Sequence, residues 1–189
     1  MGSVAVIPSA PVRQRNADVD HEYRQGSDFY YLTGFAEPES VAFLIRDEGG
    51  GRFELVVRPR DPEREVWDGK RAGVEGAKSQ FGADNAYPTP SLGDTLKTIT
   101  QGHSTLLYAL GDHAEMDGRV LDLLKTYRAS KRKGTSGPEV IQDPGGILHE
   151  MRLLKDAGGR ARMQRACDIS VEAHRAAMRA TSPGMTERQ

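Results

Sequence analysis

Short runs of β-branched and aliphatic residues alternate in this chain with stretches in which apolar residues recur at helical spacing. Short, continuous apolar runs are typical of strands that lie in a sheet with both faces covered. Strands that alternate with helices indicate an α/β layer architecture. The predicted strands are residues 3–7, 41–46, 53–57 and 105–110.

Glycine marks where several of these elements end. Three glycines at 49–51 separate the second predicted strand from the third, which indicates a β-hairpin. Residues 29–33 read FYYLT and precede Gly34, so they are predicted to form a further strand. The polar, aperiodic segment 9–27 is predicted to be an extended loop.

Helices are predicted where a capping residue or helical spacing of apolar residues occurs. Asp61 followed by Pro62 is typical of a helix start. Residues 160–180 place alanines on one face and charged residues on the other, which predicts a long surface helix. Gly158 and Gly159 are predicted to separate it from the helix before. The other predicted helices are residues 91–99, 117–127 and 147–154.

The charge balance and the apolar runs exclude several classes of protein. Lysine and arginine number 26 against 27 aspartates and glutamates, which gives a formal net charge of −1. This balance provides no excess of positive charge for binding nucleic acid or an anionic membrane. No apolar run approaches the roughly 18 residues of a transmembrane helix. The single cysteine, Cys167, suits a reducing compartment. We therefore expect a cytoplasmic protein that binds neither nucleic acid nor membrane.

The residues taken alone predict no active site and no metal site. His149 and Glu150 begin like a zinc-protease helix, but Leu153 stands where the second histidine is required. His113 and Glu115 resemble the start of a zinc-deaminase motif, but the paired cysteines of that motif are absent. No catalytic or metal-binding residue is assigned on this basis.

Three segments change this interpretation, because together they resemble one known family. They are YRQGSDFYYLTGF at 23–35 with EPE at 37–39, EVWDGKRAG at 65–73, and HEMRLLK at 149–155. In this order they resemble the N-terminal domain of aminopeptidase P (Xaa-Pro aminopeptidase) and its junction with the catalytic domain. The departures from the family pattern are minor and include Tyr23, Gly26 and the pair Gly158 and Gly159.

The resemblance implies a fold and a domain organisation. It implies a mixed β-sheet flanked by helices over residues 1–148, followed at 149–189 by the junction and first helix of an α+β "pita-bread" catalytic domain. Residues 186–189 read TERQ, a capping box that opens a helix. Because one turn of helix is not stable alone, we expect the front part of a longer protein. A chance match of this short motif is the alternative.

The resemblance also implies an activity, which is hydrolysis of the bond between an N-terminal residue and a following proline. In this family two divalent metal ions, expected here to be Mn²⁺, are held by ligands of the catalytic domain, beyond residue 189. The segment itself is expected to be inert and to bind no metal. Its expected role is to position the catalytic domain and to make subunit contacts in a homo-oligomer. The expected partners are peptides with proline at the second position.

Three residues are site candidates by resemblance. Asp28 resembles an aspartate at the edge of the active-site cleft, and Arg152 resembles an arginine in the surrounding hydrogen-bond network. Trp67 resembles a tryptophan that reaches a neighbouring subunit's site in tetrameric members. The structural alternatives are a strand cap for Asp28, a helix-surface ion pair for Arg152 and packing on its own domain for Trp67. Tyr30 and Tyr31 are predicted to be core and hydrogen-bonding positions.

Two other functions stay open at this point. A prolidase or another relative in the creatinase superfamily would share the fold, and a preference for Xaa-Pro dipeptides would identify it. A free-standing, non-catalytic interaction domain is the alternative from another class. A natural protein no larger than these 189 residues would favour that alternative.

Overall fold

The computed structural model describes residues 2–186. The chain divides into two compact units, of which the first ends at Gly146 and the second begins at Ile147. The first unit contains a mixed sheet flanked by helices, which confirms the predicted fold class. The described part of the second unit is helical.

Eight strands and seven α-helices lie within the described residues. The strands are β1 (Ser3–Pro8), β2 (Gln14–Asn16), β3 (Val19–Asp20), β4 (Val41–Asp47), β5 (Gly50–Val57), β6 (Asn85–Pro88), β7 (Thr105–Leu107) and β8 (Val140–Gln142). The helices are α1 (Ser27–Thr33), α2 (Pro62–Asp68), α3 (Gly73–Phe81), α4 (Leu92–Thr100), α5 (Ala114–Ser130), α6 (Gly145–Leu153) and α7 (Ala157–Ala180). Short 3₁₀ turns lie at Thr89–Ser91 and Lys131–Lys133.

Six strands form one sheet in the order β6-β5-β4-β1-β7-β8, and β2 and β3 form a separate hairpin. β4 runs antiparallel to both of its neighbours, β1 and β5. The remaining pairs in the sheet are parallel. As a result, the carboxyl ends of β1, β5, β6, β7 and β8 lie at one edge of the sheet, and the segments that follow these strands begin there.

The main core cluster joins this sheet to α4 and α5. Val4, Phe43 and Val56, from three neighbouring strands, are completely buried in it. Leu96 of α4 and Val120 of α5 are buried in the same cluster. The central strands are therefore held by packing on helices, as their apolar sequences predict.

The aromatic segment before Gly34 lies in α1, and the prediction of a strand there is wrong. Phe29 and Thr33, four residues apart, are buried, whereas Tyr30 and Tyr31 are 53% and 49% exposed. A buried face with this spacing is helical. Gly34 ends the helix in the left-handed conformation, with φ of 64°, and its amide donates to the carbonyl of Tyr30. The prediction that the two tyrosines are core positions is wrong for the same reason.

The break between α6 and α7 lies earlier than predicted. α7 begins at Ala157, and Asp156 caps it by accepting a hydrogen bond from the amide of Gly159. Gly158 and Gly159 therefore lie in the first turn of α7 and not in the break.

The remaining predicted elements divide into confirmed and missed ones. The β4–β5 hairpin and the helices α2, α4 and α5 are confirmed. β7 ends at Leu107, so residues 108–110 are not part of the predicted strand. The elements that were not predicted are α3, β6, β8 and the small β2–β3 hairpin. The predicted capping box extends over residues 187–189, which lie outside the described residues.

Helix α7 is expected to be weakly protected against hydrogen exchange. No residue of α7 is buried, and its exposed apolar side chains include Met163, Ile169 and Met178. Helices in proteins are stabilised mainly by packing, so amides of α7 in the 189-residue chain should exchange faster than those of β4. Hydrogen–deuterium exchange read by mass spectrometry measures both. Equal protection of α7 and β4 would contradict the prediction.

Candidate functional site

Trp67 lies on α2, a short helix in the segment that follows β5. Asp61 caps this helix, because its carboxylate accepts a 3.2 Å hydrogen bond from the amide of Arg64, and Pro62 begins the first turn. No residue of α2 is buried, and Trp67 is 89% exposed. The alternative that Trp67 packs on its own domain is therefore wrong.

Glu65, two residues before Trp67, is bound tightly by Arg60. The guanidinium of Arg60 donates two hydrogen bonds to the Glu65 carboxylate, of 2.9 Å from Nε and 2.7 Å from Nη2. The amide of Asp61 donates a further one of 3.3 Å. The hydrogen bonds from Arg60 are the main cause that lowers the pKa of Glu65 to about 2, although desolvation alone would raise it. The charge of Arg60 and the amides of Asp61 and Arg71 contribute to this lowering of the pKa. The pair therefore stays ionised across the neutral and mildly acidic range.

Arg71 closes the same segment from its other end. Its Nη2 donates a 3.1 Å hydrogen bond to the carboxylate of Asp68, the last residue of α2. Its Nη1 donates a 3.3 Å hydrogen bond to the carbonyl of Pro59, before the helix starts. The side chain of Arg71 is only 8% exposed, whereas its partner Asp68 is 47% exposed.

Glu37 brings together two segments that the sequence analysis singled out, residues 37–39 and 65–73. One oxygen of its carboxylate accepts a 2.7 Å hydrogen bond from the amide of Ala72. The other lies 3.7 Å from Nη2 of Arg58, just after β5. Glu37 therefore contacts both ends of the segment that carries α2.

Gln25 connects Glu37 to the start of α1, where Asp28 lies. Its side-chain oxygen accepts hydrogen bonds of 2.9 Å from the amides of Ala10 and Gly26. Its side-chain nitrogen donates a 3.0 Å hydrogen bond to the carbonyl of Glu37. Hydrogen bonds within residues 23–39 therefore orient α1, and Glu37 connects this segment to the one that carries α2.

The other two site candidates lie at opposite ends of two helices. Asp28 lies in the first turn of α1 and Arg152 in the last turn of α6, positions where their charges interact favourably with the helix dipoles. The strand-cap alternative for Asp28 is wrong, because α1 is a helix. Asp28 and Trp67 belong to the first unit and Arg152 to the second. Their roles in a substrate cleft stay predictions.

Two clefts open at the carboxyl edge of the sheet. One, of about 490 Å³, is lined equally by apolar and polar residues from the end of β1, the segment after it, α4 and α5, among them Pro8, Pro11, Leu92 and Met116. The other, of about 560 Å³, lies beside α2 and is lined by charged residues, among them Arg58, Arg64, Arg71, Arg119, Glu39, Asp61 and Asp68. Ligands of open α/β sheets bind at this edge. In the second cleft arginines face carboxylates, so its charge is nearly balanced.

Within residues 2–186, no three His, Cys, Asp or Glu side chains lie close enough together to hold a metal ion. None of the helices in that range has both the length and the apolar character needed to cross a bilayer.

The fold defines the first unit as an open α/β domain. Its sheet has one antiparallel strand among otherwise parallel ones, and the helix that carries the exposed Trp67 lies at the carboxyl edge of this sheet. Residues 1–108 match the family described as "Aminopeptidase P, N-terminal domain". The chain belongs to this family.

Individual relatives match almost the whole chain. The Xaa-Pro aminopeptidase of Escherichia coli K12 is 37% identical over 187 residues, which are 98% of this chain and 42% of that protein. The aminopeptidase PepP of Pseudomonas aeruginosa has a TM-score of 0.93 and 43% identity, over 98% of this chain and 42% of the solved one. A zinc-substituted E. coli aminopeptidase P in complex with product has a TM-score of 0.94 and 36% identity, with the same coverage. The chain thus spans about two-fifths of the length of these relatives.

Proposed function

We propose that this chain is the N-terminal part of a metal-dependent Xaa-Pro aminopeptidase, an enzyme that hydrolyses the bond between an N-terminal residue and a following proline. The observation that carries the proposal is the match over 98% of the chain to the E. coli Xaa-Pro aminopeptidase. The match runs across both units, beyond the 108 residues of the family domain. The proposed boundary between the N-terminal and catalytic domains lies at residues 148 and 149.

The proposed enzyme uses two divalent metal ions, which supply a Lewis acid and an activated water when bound. The zinc-substituted relative supports divalent metals, and Mn²⁺ is our proposal for this protein. The described residues do not form a cluster that fits such ions, so no step of the reaction is assigned to them. We propose that the ligands belong to the remaining three-fifths of the enzyme, and that the protein is cytoplasmic.

The proposed role of this segment is to position the catalytic domain and to contact a neighbouring subunit of a homo-oligomer. Exposed aromatic residues are frequent anchors of protein interfaces. Val66 and Trp67, which are 78% and 89% exposed on α2, are suited to such a contact. Asp28 and Arg152 are proposed to act within the enzyme's own cleft network.

A comparison of two proteins on the same peptides tests the proposal. We expect the full-length protein, loaded with Mn²⁺, to cleave Xaa-Pro-Yaa tripeptides and to leave matched Xaa-Ala-Yaa peptides intact. The 189-residue chain should cleave neither. Cleavage confined to Xaa-Pro dipeptides would indicate a prolidase instead. Absence of cleavage by an intact, metal-loaded protein would contradict the proposal, and turnover by the 189-residue chain would contradict the inert role of the segment.

A further inference from the structure

Helix α2 is not held in place by the hydrophobic core. None of its seven residues is buried, and an isolated helix of this length is unstable in water. What binds it to the rest of the unit is a set of charged side chains, which we call the charged clamp. The clamp consists of Glu37, Arg60, Glu65 and Arg71.

We propose that the charged clamp positions the indole of Trp67 by fixing the rotation and the location of α2. The effect of the clamp on catalysis rests on the proposed function, because that function includes the role of Trp67 in the enzyme. It makes the members of the clamp positioning residues, which act through Trp67 and do not themselves touch the substrate.

The rotation of α2 is fixed by Glu65. Successive residues of an α-helix are about 100° apart around its axis, so side chains two positions apart point about 200° apart. The side chain of Glu65 is 8% exposed, whereas Trp67 is 89% exposed, as expected for opposite faces. Because Arg60 and the amide of Asp61 hold the Glu65 carboxylate inward, the indole of Trp67 is directed outward.

The location of α2 is fixed at the two ends of its segment. Arg71 bridges the carbonyl of Pro59 and the carboxylate of Asp68, which closes the segment into a loop. Glu37 contacts the amide of Ala72 at one end of that loop and, more loosely, the guanidinium of Arg58 at the other. The loop is therefore tied both across its own base and to the segment after α1.

Gly73 provides the space that the clamp needs. Its φ of 62° lies in the left-handed region, which glycine adopts without strain. A Cβ atom at this position would lie 2.6 Å from Cγ of Arg60. A larger residue would therefore displace the arginine that holds Glu65.

In each of the two ion pairs of the clamp segment, one side chain is shielded from solvent, whereas its partner, Arg60 or Asp68, is 61% or 47% exposed. The side chains of Glu65 and Arg71 are each 8% exposed. Loss of the contact from Arg60 would leave the shielded carboxylate of Glu65 without its main partner, whereas pairs in which both side chains are exposed contribute little. Asp122 and Lys125 of α5 form an exposed pair at 2.8 Å, which provides a matched control for the same chemistry outside the clamp.

Fluorescence of the chain's single tryptophan tests the clamp directly. In the 189-residue chain, Glu65→Gln should strongly reduce the amplitude of the slow component of the Trp67 anisotropy decay, because the indole gains local motion. Arg60→Lys keeps the charge but loses the two-pronged contact, and should give a smaller loss in the same direction. Asp122→Asn should leave the decay unchanged. Far-UV circular dichroism of all variants should match that of the original chain.

The outcomes separate the clamp from a general effect on stability. An unchanged anisotropy decay in both Glu65→Gln and Arg60→Lys would overturn the proposal. The same would follow if Asp122→Asn increased the motion of Trp67 equally. If Glu65→Gln lost the global fold, the exposed Arg60→Lys variant would still decide the question.

The full-length enzyme provides a second measurement. Glu65→Gln should raise KM for Xaa-Pro-Yaa peptides several-fold with kcat nearly unchanged, because binding and not chemistry is affected. A reduced kcat at unchanged KM would contradict a positioning role through Trp67. If the full-length protein cleaves no such peptide, the proposed function fails, whereas the anisotropy experiment still decides whether the clamp holds Trp67.

Discussion

Replacement of Phe43 by alanine is expected to lower the free energy of unfolding by about 3–5 kcal/mol, the usual loss for a buried phenylalanine. Phe43 is completely buried and lies on β4, the strand that pairs with both β1 and β5. Its loss removes packing from the middle of the sheet and leaves a cavity. Since domains of this size are stable by only about 5–15 kcal/mol, a large share of the stability should disappear.

Urea denaturation followed by far-UV circular dichroism measures this effect. Tyr30→Ala is the matched control, because it also removes an aromatic ring but from an exposed position on α1. The control should change the free energy of unfolding by no more than about 0.5 kcal/mol. A loss in Phe43→Ala as small as the one expected for the control would contradict the placement of Phe43 in the core described above.

The buried part of the fold could be predicted from the sequence because its signals are local. Residues 41–57 contain two apolar runs separated by three glycines, and they form the β4–β5 hairpin. Asp61 and Pro62 mark the start of α2 as predicted. In each case, the residues that determine the element are adjacent in the chain and their burial agrees with their propensity.

The errors arose where the tertiary structure overrides local propensity. The aromatic residues before Gly34 favour a strand, but burial of Phe29 and Thr33 on one side selects a helix. β8 was missed because it is an edge strand whose three residues are all exposed, so its sequence has no alternation of buried and exposed positions. α3 was missed because Gly73 and Gly76 are poor helix formers, although both are buried there.

The candidate site was only partly predictable for a related reason. The exposure of Trp67 follows from a segment rich in charges with few apolar neighbours. The contact between Glu37 and Ala72 joins residues 35 positions apart, and a single sequence carries no signal for such a pair. The signal that was available is the dense alternation of acids and bases at 60–71, which indicates ion pairs without saying which partners meet.

Trp67→Ala is expected to have the largest effect on the activity of the full-length enzyme. Loss of an aromatic interface anchor typically costs about 2 kcal/mol or more, which corresponds to a roughly thirtyfold decrease in kcat/KM. The effect should be strongest for peptides that extend beyond proline, since the proposed position of this tryptophan is the rim of a neighbouring subunit's cleft. Alanine is a good helix former and the side chain is exposed, so α2 and the fold should persist.

Steady-state kinetics on tripeptides and longer peptides, with metal content and subunit assembly measured on the same samples, tests this expectation. Trp67→Phe should recover part of the loss, because it restores an aromatic surface. Leu121→Ala removes an exposed apolar side chain from α5 and should leave kcat/KM unchanged. If Trp67→Ala lowers the denaturation midpoint as much as Phe43→Ala does, Trp67 is a core residue. If activity and assembly are both unchanged, Trp67 has no part in the enzyme's site, and the role inferred from the family does not apply to this protein.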